Sequence, residues 1–375
     1  MPSELLFRKD WKIEAFDYDH GDLNELLGLF TEEYGAVDPA KPEYFQWYCR
    51  DNPAGKAVIP VARDPETGKL VGQFWAIPLR AKFPEGEFLG SVGMNALVAK
   101  ANRRQGIISQ LGHASPELIK ARGIDFSMIF PNRRLVKTRA SLPEWLSIGF
   151  LSLYTLPLDV RLFDRTRLRK NPFALKLVKL LTLLMMPLLF RARKFRSSGS
   201  KIQIQEISSF DERFDQFWEK IKDKYPVLFV RDSLFLRWRY TENPCRQYTT
   251  LVALEEGEMV GYLILRCGQI RKFPVGAVLD ILVEPSPRGD LAERMLVKTA
   301  TDRFHKEGMY LAVSVIRRGV QEERALRLQG YVALPGAISP QQVETGIKPI
   351  NPAVPTTDLL DLKNWYLTLG DFDIV

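Results

Sequence analysis

The chain has 375 residues, of which 46% are hydrophobic and 26% are charged. This length corresponds to two or three domains with a sizeable core, and the composition excludes collagen-like, low-complexity and disulfide-scaffold proteins. The net charge of +8 is unevenly distributed, because residues 161–201 contain 12 Lys and Arg against one acid, Asp164. The other 334 residues carry 41 basic and 44 acidic side chains, so we expect one cationic segment and no nucleic-acid partner.

The three cysteines, Cys49, Cys245 and Cys267, are an odd number with no paired spacing. They predict neither a disulfide framework nor a metal site, and they fit a reducing, cytoplasmic environment. Residues 1–11 mix charged and apolar side chains and lack the apolar centre of a secretory signal. We therefore expect a protein that is not exported.

The first half of the chain predicts a mixed α/β unit. Apolar residues at helical spacing alternate with runs of β-forming residues, and a Glu66-Thr67-Gly68 turn joins two strands into a hairpin. The predicted helices span residues 22–34, 42–50 and 106–121, and the predicted strands span 57–63, 70–81, 90–99 and 125–130.

The same succession of elements recurs in the second half of the chain. Residues 44–47 match 235–238 at an offset of 191, residues 68–72 match 257–261 at 189, and residues 95–98 match 280–283 at 185. The offset shrinks smoothly, as loop-length differences between two copies of one fold would produce. The second copy has predicted strands over 248–254, 261–267, 278–283 and 310–315 and a predicted helix over 291–306. We predict a first domain over 1–160, a cationic apolar insert over 161–201, a second domain over 202–350 and a C-terminal tail over 351–375.

One turn of the first copy suggests anion binding. The strand that ends at Ala99 is followed by Arg103, Arg104 and Gly106, and then by a helix. Backbone N–H groups at a helix N-terminus lack intrahelical partners, the helix dipole adds partial positive charge, and a glycine lets the backbone approach a phosphate closely. The pattern indicates either a pyrophosphate site or an ordinary strand-to-helix turn with exposed arginines.

Residues 97–111 resemble the acyl-CoA-binding motif of the GNAT superfamily of acyltransferases, which has the pattern Arg/Gln-x-x-Gly-x-Gly/Ala after the fourth strand. Arg103 and Gly106 match this pattern, and Ile108 replaces its final small residue. The order of elements over residues 11–160 is also similar to this family. The resemblance implies a mixed α/β fold with two tandem GNAT-like domains.

The resemblance also implies a set of cofactor-binding residues. In the family, the fourth strand offers backbone groups to the pantetheine arm, and the fourth and fifth strands splay to admit the thioester. By position, this assigns Ala96, Leu97 and Val98 to the arm. The pyrophosphate is assigned to Arg103, Arg104, Gln105, Gly106, Ile107 and Ile108. Asn132 is expected either at the end of the splayed strand or as a helix cap after Pro131.

The second copy departs from the motif at the corresponding turn. It keeps Arg288 at the position of Arg103, but it has Leu291 at the position of Gly106 and acidic Glu284 and Asp290 nearby. Acidic groups would repel a pyrophosphate. We therefore expect one donor site, in the first half.

The catalytic residues are less well marked. Transfer of an acyl group from a thioester to an amine needs a deprotonated amine, a polarised carbonyl and an acid for the leaving thiolate. The fourth strand offers Asn95, and the nearest tyrosine after the fifth strand is Tyr154. Because some tandem-fold relatives use a C-terminal carboxylate as base, Asp373, Asp371 and the Val375 carboxylate are further candidates.

The insert combines an apolar centre with basic flanks. Residues 180–190 are almost wholly apolar, but the run is too short and too interrupted by lysine for a transmembrane helix. The alternatives are a helix lying in the interface of an anionic membrane and a helix packed on the protein or on a partner subunit. Membrane contact would place the protein at the inner face of the membrane and favour a lipid-linked acceptor.

These observations predict an acyl-CoA-dependent N-acyltransferase that uses acetyl-CoA or another acyl-CoA and no metal. We expect the acceptor to be an amine, for example an amino sugar of a cell-envelope precursor, either as a small molecule or linked to lipid. Two alternatives stay open. One is a Fem-type transferase that takes its acyl group from aminoacyl-tRNA, and the other is a non-catalytic binding protein with the same fold.

Overall fold

The computed structural model describes residues 10–131, 145–165, 170–192, 201–270, 273–336 and 343–372. Nine α-helical segments lie in these ranges, and two of them are extended by a π-helical turn. The α-helices are α1 (Leu23–Tyr34), α2 (Pro42–Phe45), α3 (Ile107–Lys120), α4 (Pro172–Ala192), α5 (Glu212–Ile221), α6 (Ser233–Leu236), α7 (Pro287–Lys306), α8 (Gln321–Leu328) and α9 (Thr356–Leu359).

The strands of the first half form one side of a large mixed sheet. β1, β2, β3 and β4 are antiparallel neighbours, and β5 lies parallel to β4. Their bounds are β1 (Lys12–Ala15), β2 (Pro60–Arg63), β3 (Leu70–Phe83), β4 (Gly86–Val98) and β5 (Phe126–Ile129). The strand predicted over 90–99 is thus one arm of a long β3–β4 hairpin, and α3 lies within the helix predicted over 106–121.

The second half repeats this arrangement strand for strand. β7 pairs with β9, β9 with β10 and β10 with β11, all antiparallel, and β12 lies parallel to β11. Their bounds are β7 (Ile202–Ile207), β9 (Thr249–Glu255), β10 (Glu258–Ile270), β11 (Phe273–Val283) and β12 (Leu311–Ile316). The α/β class and the tandem repeat predicted from the sequence are confirmed.

The two halves exchange strands. β6 (Leu146–Pro157) leaves the first half to pair with β12, and β14 (Val343–Pro349) leaves the second half to pair with β5. β6 and β14 also pair with each other, so the two sheets merge into one continuous sheet. The sequence ranges 1–160 and 202–350 therefore do not correspond to two separate sheets.

Three short strands complete the sheet. β13 (Val332–Ala333) pairs with β6, while β8 (Val227–Phe229) pairs with both β3 and β15 (Trp365–Tyr366). The C-terminal tail is thereby fixed to the sheet of the first half through β8.

A symmetric tryptophan pair joins the two copies. Trp47 and Trp238, which are separated by the repeat offset of 191 residues, stack with ring centroids 5.4 Å apart. The indole Nε1–H of Trp47 donates to the carbonyl oxygen of Trp238 at 2.7 Å, and the indole of Trp238 donates to the carbonyl of Trp47 at 3.0 Å. Each tryptophan lies in a π-helical turn, Gln46–Arg50 in one copy and Arg237–Thr241 in the other. The matching residues of the repeat therefore meet in the core.

Candidate functional site

The fourth and fifth strands separate in the first copy. β4 and β5 pair over only four residue pairs, the last of which is Gly93 with Ile129, and β4 then continues to Val98 while β5 ends. Opposite Phe74, β4 contains a bulge at Asn95, whose φ of +54° is in the left-handed region. A β-bulge bends its strand and leaves an extra residue unpaired. The bulge thus turns one edge of β4 towards the opening between the strands.

The opening is a cleft of about 300 Å³. Aromatic and aliphatic side chains form most of its wall, and Asn95 and Tyr34 supply the polar side-chain groups among its described lining residues. The lining residues are Phe30, Tyr34, Phe74, Gly93, Met94, Asn95, Ala96, Leu97, Ile129, Phe130 and Pro131. The predicted arm-binding residues Ala96 and Leu97 are among them, and Val98 is the next residue along β4.

The Asn95 side chain points to a chemical role for the bulge. Its Nδ2 atom is buried and donates to no other atom within the described part of the chain. A buried N–H donor without an acceptor is costly, so it marks a position where a ligand oxygen would be stabilised. Asn95 thus lines the cleft and carries an amide group whose N–H donor has no acceptor among the described residues.

The turn between β4 and α3 is held in a strained form. Gly106 has a φ of +80° and Arg104 a φ of +64°, which is uncommon for a residue with a side chain. The indole Nε1–H of Trp11 donates to the carbonyl of Gln105 at 3.2 Å, and Arg103 Nε donates to the carbonyl of Val98 at 3.3 Å. The turn is therefore fixed on both sides.

The two arginines of the turn have different roles. The Arg103 guanidinium forms an ion pair with Glu33, whose side chain is largely buried. Arg103 therefore attaches the turn to α1. Arg104 is exposed and forms no ion pair with any residue that the structure describes. Its charge is thus available to a ligand.

Helix α3 begins directly after this turn. Gly106 is its N-cap residue and supplies no side-chain cap. The first N–H groups of a helix have no intrahelical acceptor, and the dipole gives this end a partial positive charge. The start of α3 at Ile107 and Ile108 and the exposed Arg104 side chain therefore give this corner of the molecule a positive electrostatic character.

The corresponding turn of the second copy is already filled. Ser286 caps α7 by accepting a hydrogen bond from the Gly289 amide at 3.1 Å. Arg288 and Lys220 form ion pairs with the buried Glu284. Burial opposes ionisation, but the hydrogen bonds from Arg288, Ser286 and Lys220 lower the pKa of Glu284 to about 2. A fixed negative charge therefore lies where the first copy leaves room for an anion.

The opening between β11 and β12 is also filled. These strands pair over four residue pairs and then separate, and residues 365–372 of the tail enter the gap. The Tyr366 hydroxyl donates to the carbonyl of Ile281 on β11, and Thr368 forms a backbone bridge to Ile316 on β12. By the repeat offset of 185, Ile281 corresponds to Ala96 in the cleft of the first copy. The protein thus closes its second opening with its own chain.

A buried charge cluster fixes this tail segment. Arg231 Nε donates to Asp280 Oδ2 at 2.8 Å, and the same guanidinium pairs with Asp371 of the tail. The three side chains are at most 2% exposed. Burial raises the pKa of Asp280, and the attraction of Arg231 offsets this only in part. Asp371, one of the base candidates from the sequence, is therefore engaged in holding the tail.

The tail also reaches the cleft of the first copy. Phe372 packs against Phe130 at the end of β5, with ring centroids 4.3 Å apart. Phe130 lines the cleft. The predicted base Asp373, the Val375 carboxylate and the predicted Asn132 lie outside the described residues.

Strand exchange places the predicted acid Tyr154 away from the cleft. Tyr154 lies on β6 opposite Ser314 of the second half, and its hydroxyl donates to Glu323 Oε1 at 2.5 Å. Burial and this hydrogen bond raise the pKa of Tyr154. The structure therefore does not bring Tyr154 together with Asn95. Tyr34, which does lie at the cleft, was not predicted from the sequence, because it ends helix α1, which is remote in the chain from the motif at residues 97–111.

Comparisons with known proteins support the fold. No family model matches the sequence, and no curated protein matches it. A conserved protein of unknown function from Enterococcus faecalis V583, described as a "Probable N-Acyltransferase", is 9% identical with a TM-score of 0.56, over 92% of this chain and 73% of the other. A GCN5-related N-acetyltransferase from Anabaena variabilis ATCC 29413 is 10% identical with a TM-score of 0.58, over 91% of this chain and 73% of the other.

A third similar structure contains a ligand. Saccharomyces cerevisiae N-myristoyltransferase with bound myristoyl-CoA is 12% identical with a TM-score of 0.58, over 90% of this chain and 84% of the other. Similarity at this level of identity shows a shared fold. The fold predicted from residues 97–111 and from the order of elements is confirmed as a GNAT fold in tandem.

Proposed function

We propose that this GNAT-fold protein is an acyl-CoA-dependent N-acyltransferase with a single donor site in its first copy. One observation supports this most directly. The first copy combines an open cleft with an uncapped helix N-terminus beside it, whereas the second copy fills both places with its own side chains and tail.

The residues at the site fit the two ends of an acyl-CoA. The pyrophosphate would lie at the turn, where it would accept hydrogen bonds from backbone N–H groups at the start of α3 and contact Arg104. The pantetheine arm would run along the edge of β4 at Ala96, Leu97 and Val98, with Asn132 proposed near its far end. The thioester would then lie beside Asn95.

The proposed reaction is nucleophilic acyl transfer. The acceptor amine attacks the thioester carbonyl, the carbon–sulfur bond breaks, and a proton passes to the departing thiolate. In this proposal, Asn95 Nδ2 donates to the carbonyl oxygen as negative charge develops on it. The base that takes the amine proton is proposed to be Asp373, which follows Phe372 at the cleft.

The acceptor is proposed to be an amino sugar or a related amine, either free or linked to lipid. The acyl group is proposed to be acetyl or another acyl group carried by CoA. A panel of glucosamine, an aminoglycoside and a lysine-containing peptide, assayed with acetyl-CoA, would identify the acceptor class.

The donor site is tested by titration of the purified protein with acetyl-CoA and with decanoyl-CoA. We expect Arg104→Glu to weaken acyl-CoA binding about 10-fold, because the charge beside the pyrophosphate changes sign. The matched control is Arg122→Glu, an exposed arginine just beyond the other end of α3, which should bind like the wild type. Equal binding by the two variants would contradict the assigned position of the phosphates.

The same titration separates the alternatives. A wild-type protein that binds neither acyl-CoA excludes the proposed donor and favours the aminoacyl-tRNA-dependent transferase. A protein that binds acyl-CoA but transfers its acyl group to none of the amines in the acceptor assay favours the non-catalytic binding protein.

Asn95 gives a separate prediction for the chemical step. We expect Asn95→Gly to lower kcat about 10-fold or more with little change in the Kd for acyl-CoA, because it removes the amide donor. Glycine adopts the left-handed φ of this position without strain, so the bulge is retained. Stopped-time assays and calorimetry on the same preparation measure the two quantities. An unchanged kcat would exclude Asn95 from the reaction.

A further inference from the structure

Helix α4 contacts the 3₁₀ segment Val160–Arg165, and one of its faces is partly covered. Leu175, Val178 and Thr182 are partly covered. Lys179 on the same side forms an ion pair with Asp164 in the 3₁₀ segment Val160–Arg165. These contacts orient the helix relative to the rest of the molecule.

The opposite face of α4 is an exposed apolar stripe. Phe173 is 79% exposed, Leu184 is 65% exposed, and Leu177 and Leu180 lie between them with about half of their surface in solvent. The spacing of four, three and four residues places all four side chains on one line along the helix. We call these four residues the outer stripe. Because the opposite face of α4 is partly covered, the stripe is directed away from the segment that covers it.

Basic residues flank the outer stripe in the sequence. Lys170 and Lys176 are exposed, and the segment 161–201 contains 12 Lys and Arg with Asp164 as its single acid. Lys179 neutralises that acid. An apolar stripe bordered by basic side chains is the pattern of a helix that lies in a lipid interface and contacts anionic headgroups.

None of the helices in the described ranges is both long enough and apolar enough to cross a bilayer. The geometry of α4 instead fits a helix parallel to a surface, since one of its faces is partly covered and the opposite face is exposed. We propose that α4 docks the protein onto the surface of an anionic lipid bilayer, with the outer stripe in the acyl-chain boundary. This inference does not depend on the proposed acyl transfer.

Charge favours a bilayer over a second copy of the chain. Two copies that met through their outer stripes would bring two strongly basic segments together, which repel each other. An anionic membrane offers both an apolar layer and opposite charge. Self-association of two copies through the outer stripe is therefore one of the outcomes that the test distinguishes.

The test is flotation of the full chain with 100 nm vesicles of phosphatidylcholine alone and of phosphatidylcholine with 25% phosphatidylglycerol. We expect binding to the anionic vesicles, at least about 10-fold weaker binding to the neutral ones, and loss of binding as NaCl rises from 0.1 to 0.5 M. Leu180→Glu/Leu184→Glu should reduce binding to anionic vesicles by at least about 10-fold.

The matched control is a double variant at two leucines of similar exposure that lie outside α4. Leu234 and Leu328 are 50% and 51% exposed, as Leu180 is 54% exposed. Leu234→Glu/Leu328→Glu adds the same charge and should bind vesicles like the wild type. Equal binding of both double variants, or no binding of the wild type, would overturn the proposal. A wild-type dimer in light scattering that only Leu180→Glu/Leu184→Glu dissociates would also overturn it and assign the stripe to a second copy.

Discussion

Replacement of Gly106 by glutamate is expected to abolish acyl-CoA binding, with a rise in Kd of at least about 100-fold. Two effects combine. The new side chain fills the space through which the backbone approaches the pyrophosphate, and its carboxylate stands beside two phosphate charges. Calorimetric titration with acetyl-CoA measures the result. The expected change is larger than that for Arg104→Glu, because Arg104 acts by charge alone.

Gly308→Glu is a suitable control for backbone effects. Gly308 follows α7 with a φ of +73°, close to the +80° of Gly106, and a Cβ added there meets open space. Both variants carry a similar cost of about 1 kcal/mol for a left-handed residue with a side chain. Binding by Gly106→Glu within about threefold of Gly308→Glu would refute the position of the donor site.

Replacement of Arg231 by methionine is expected to lower the free energy of unfolding by about 3–5 kcal/mol, because it leaves the carboxylates of Asp280 and Asp371 buried without their cation. Urea unfolding measures this loss. Arg213→Met is the control, since its ion pair with Asp211 is about half exposed and should contribute at most about 1 kcal/mol. Equal stability of the two variants would show that the cluster does not hold the tail.

The loss in Arg231→Met should also depend on pH. Burial already raises the pKa of Asp280 above its reference value of 3.8, and the variant removes the group that lowers it. A carboxyl group with a raised folded-state pKa stabilises the folded state at low pH and loses this contribution as the pH rises through that value. Arg231→Met should therefore be less destabilised at pH 5 than at pH 8. A larger loss at pH 5 would contradict the assignment.

Sequence reasoning succeeded where the signal is local or repeated. The Trp47 and Trp238 segments were matched by their similar residues at an offset of 191, and the structure brings the two rings together. The turn at Gly106 was recognised because a helix start, a glycine and basic residues are adjacent in the chain. Such features depend on neighbouring residues, which the sequence shows directly.

Sequence reasoning did not find the strand exchange or the closed second opening. No strand was predicted over residues 343–349, and a strand pattern alone does not specify a partner. For β6, the paired residues of β12 lie 154–164 residues away along the chain. Tyr154 was expected near the cleft because β6 was assigned to the first half. The fully buried positions of Trp365 and Tyr366 in the tail depend on contacts that only the folded chain shows.

The exchange of β6 and β14 has a consequence for biosynthesis. As the chain leaves the ribosome, β5 is made more than 200 residues before β14, the strand that covers its outer edge. At typical rates of synthesis this edge stays open for roughly 10–40 s. An uncovered strand edge pairs readily with other chains. Nascent copies on one polysome are therefore exposed to mispairing during this interval, and co-translational chaperones that bind the first half would raise the yield of folded protein.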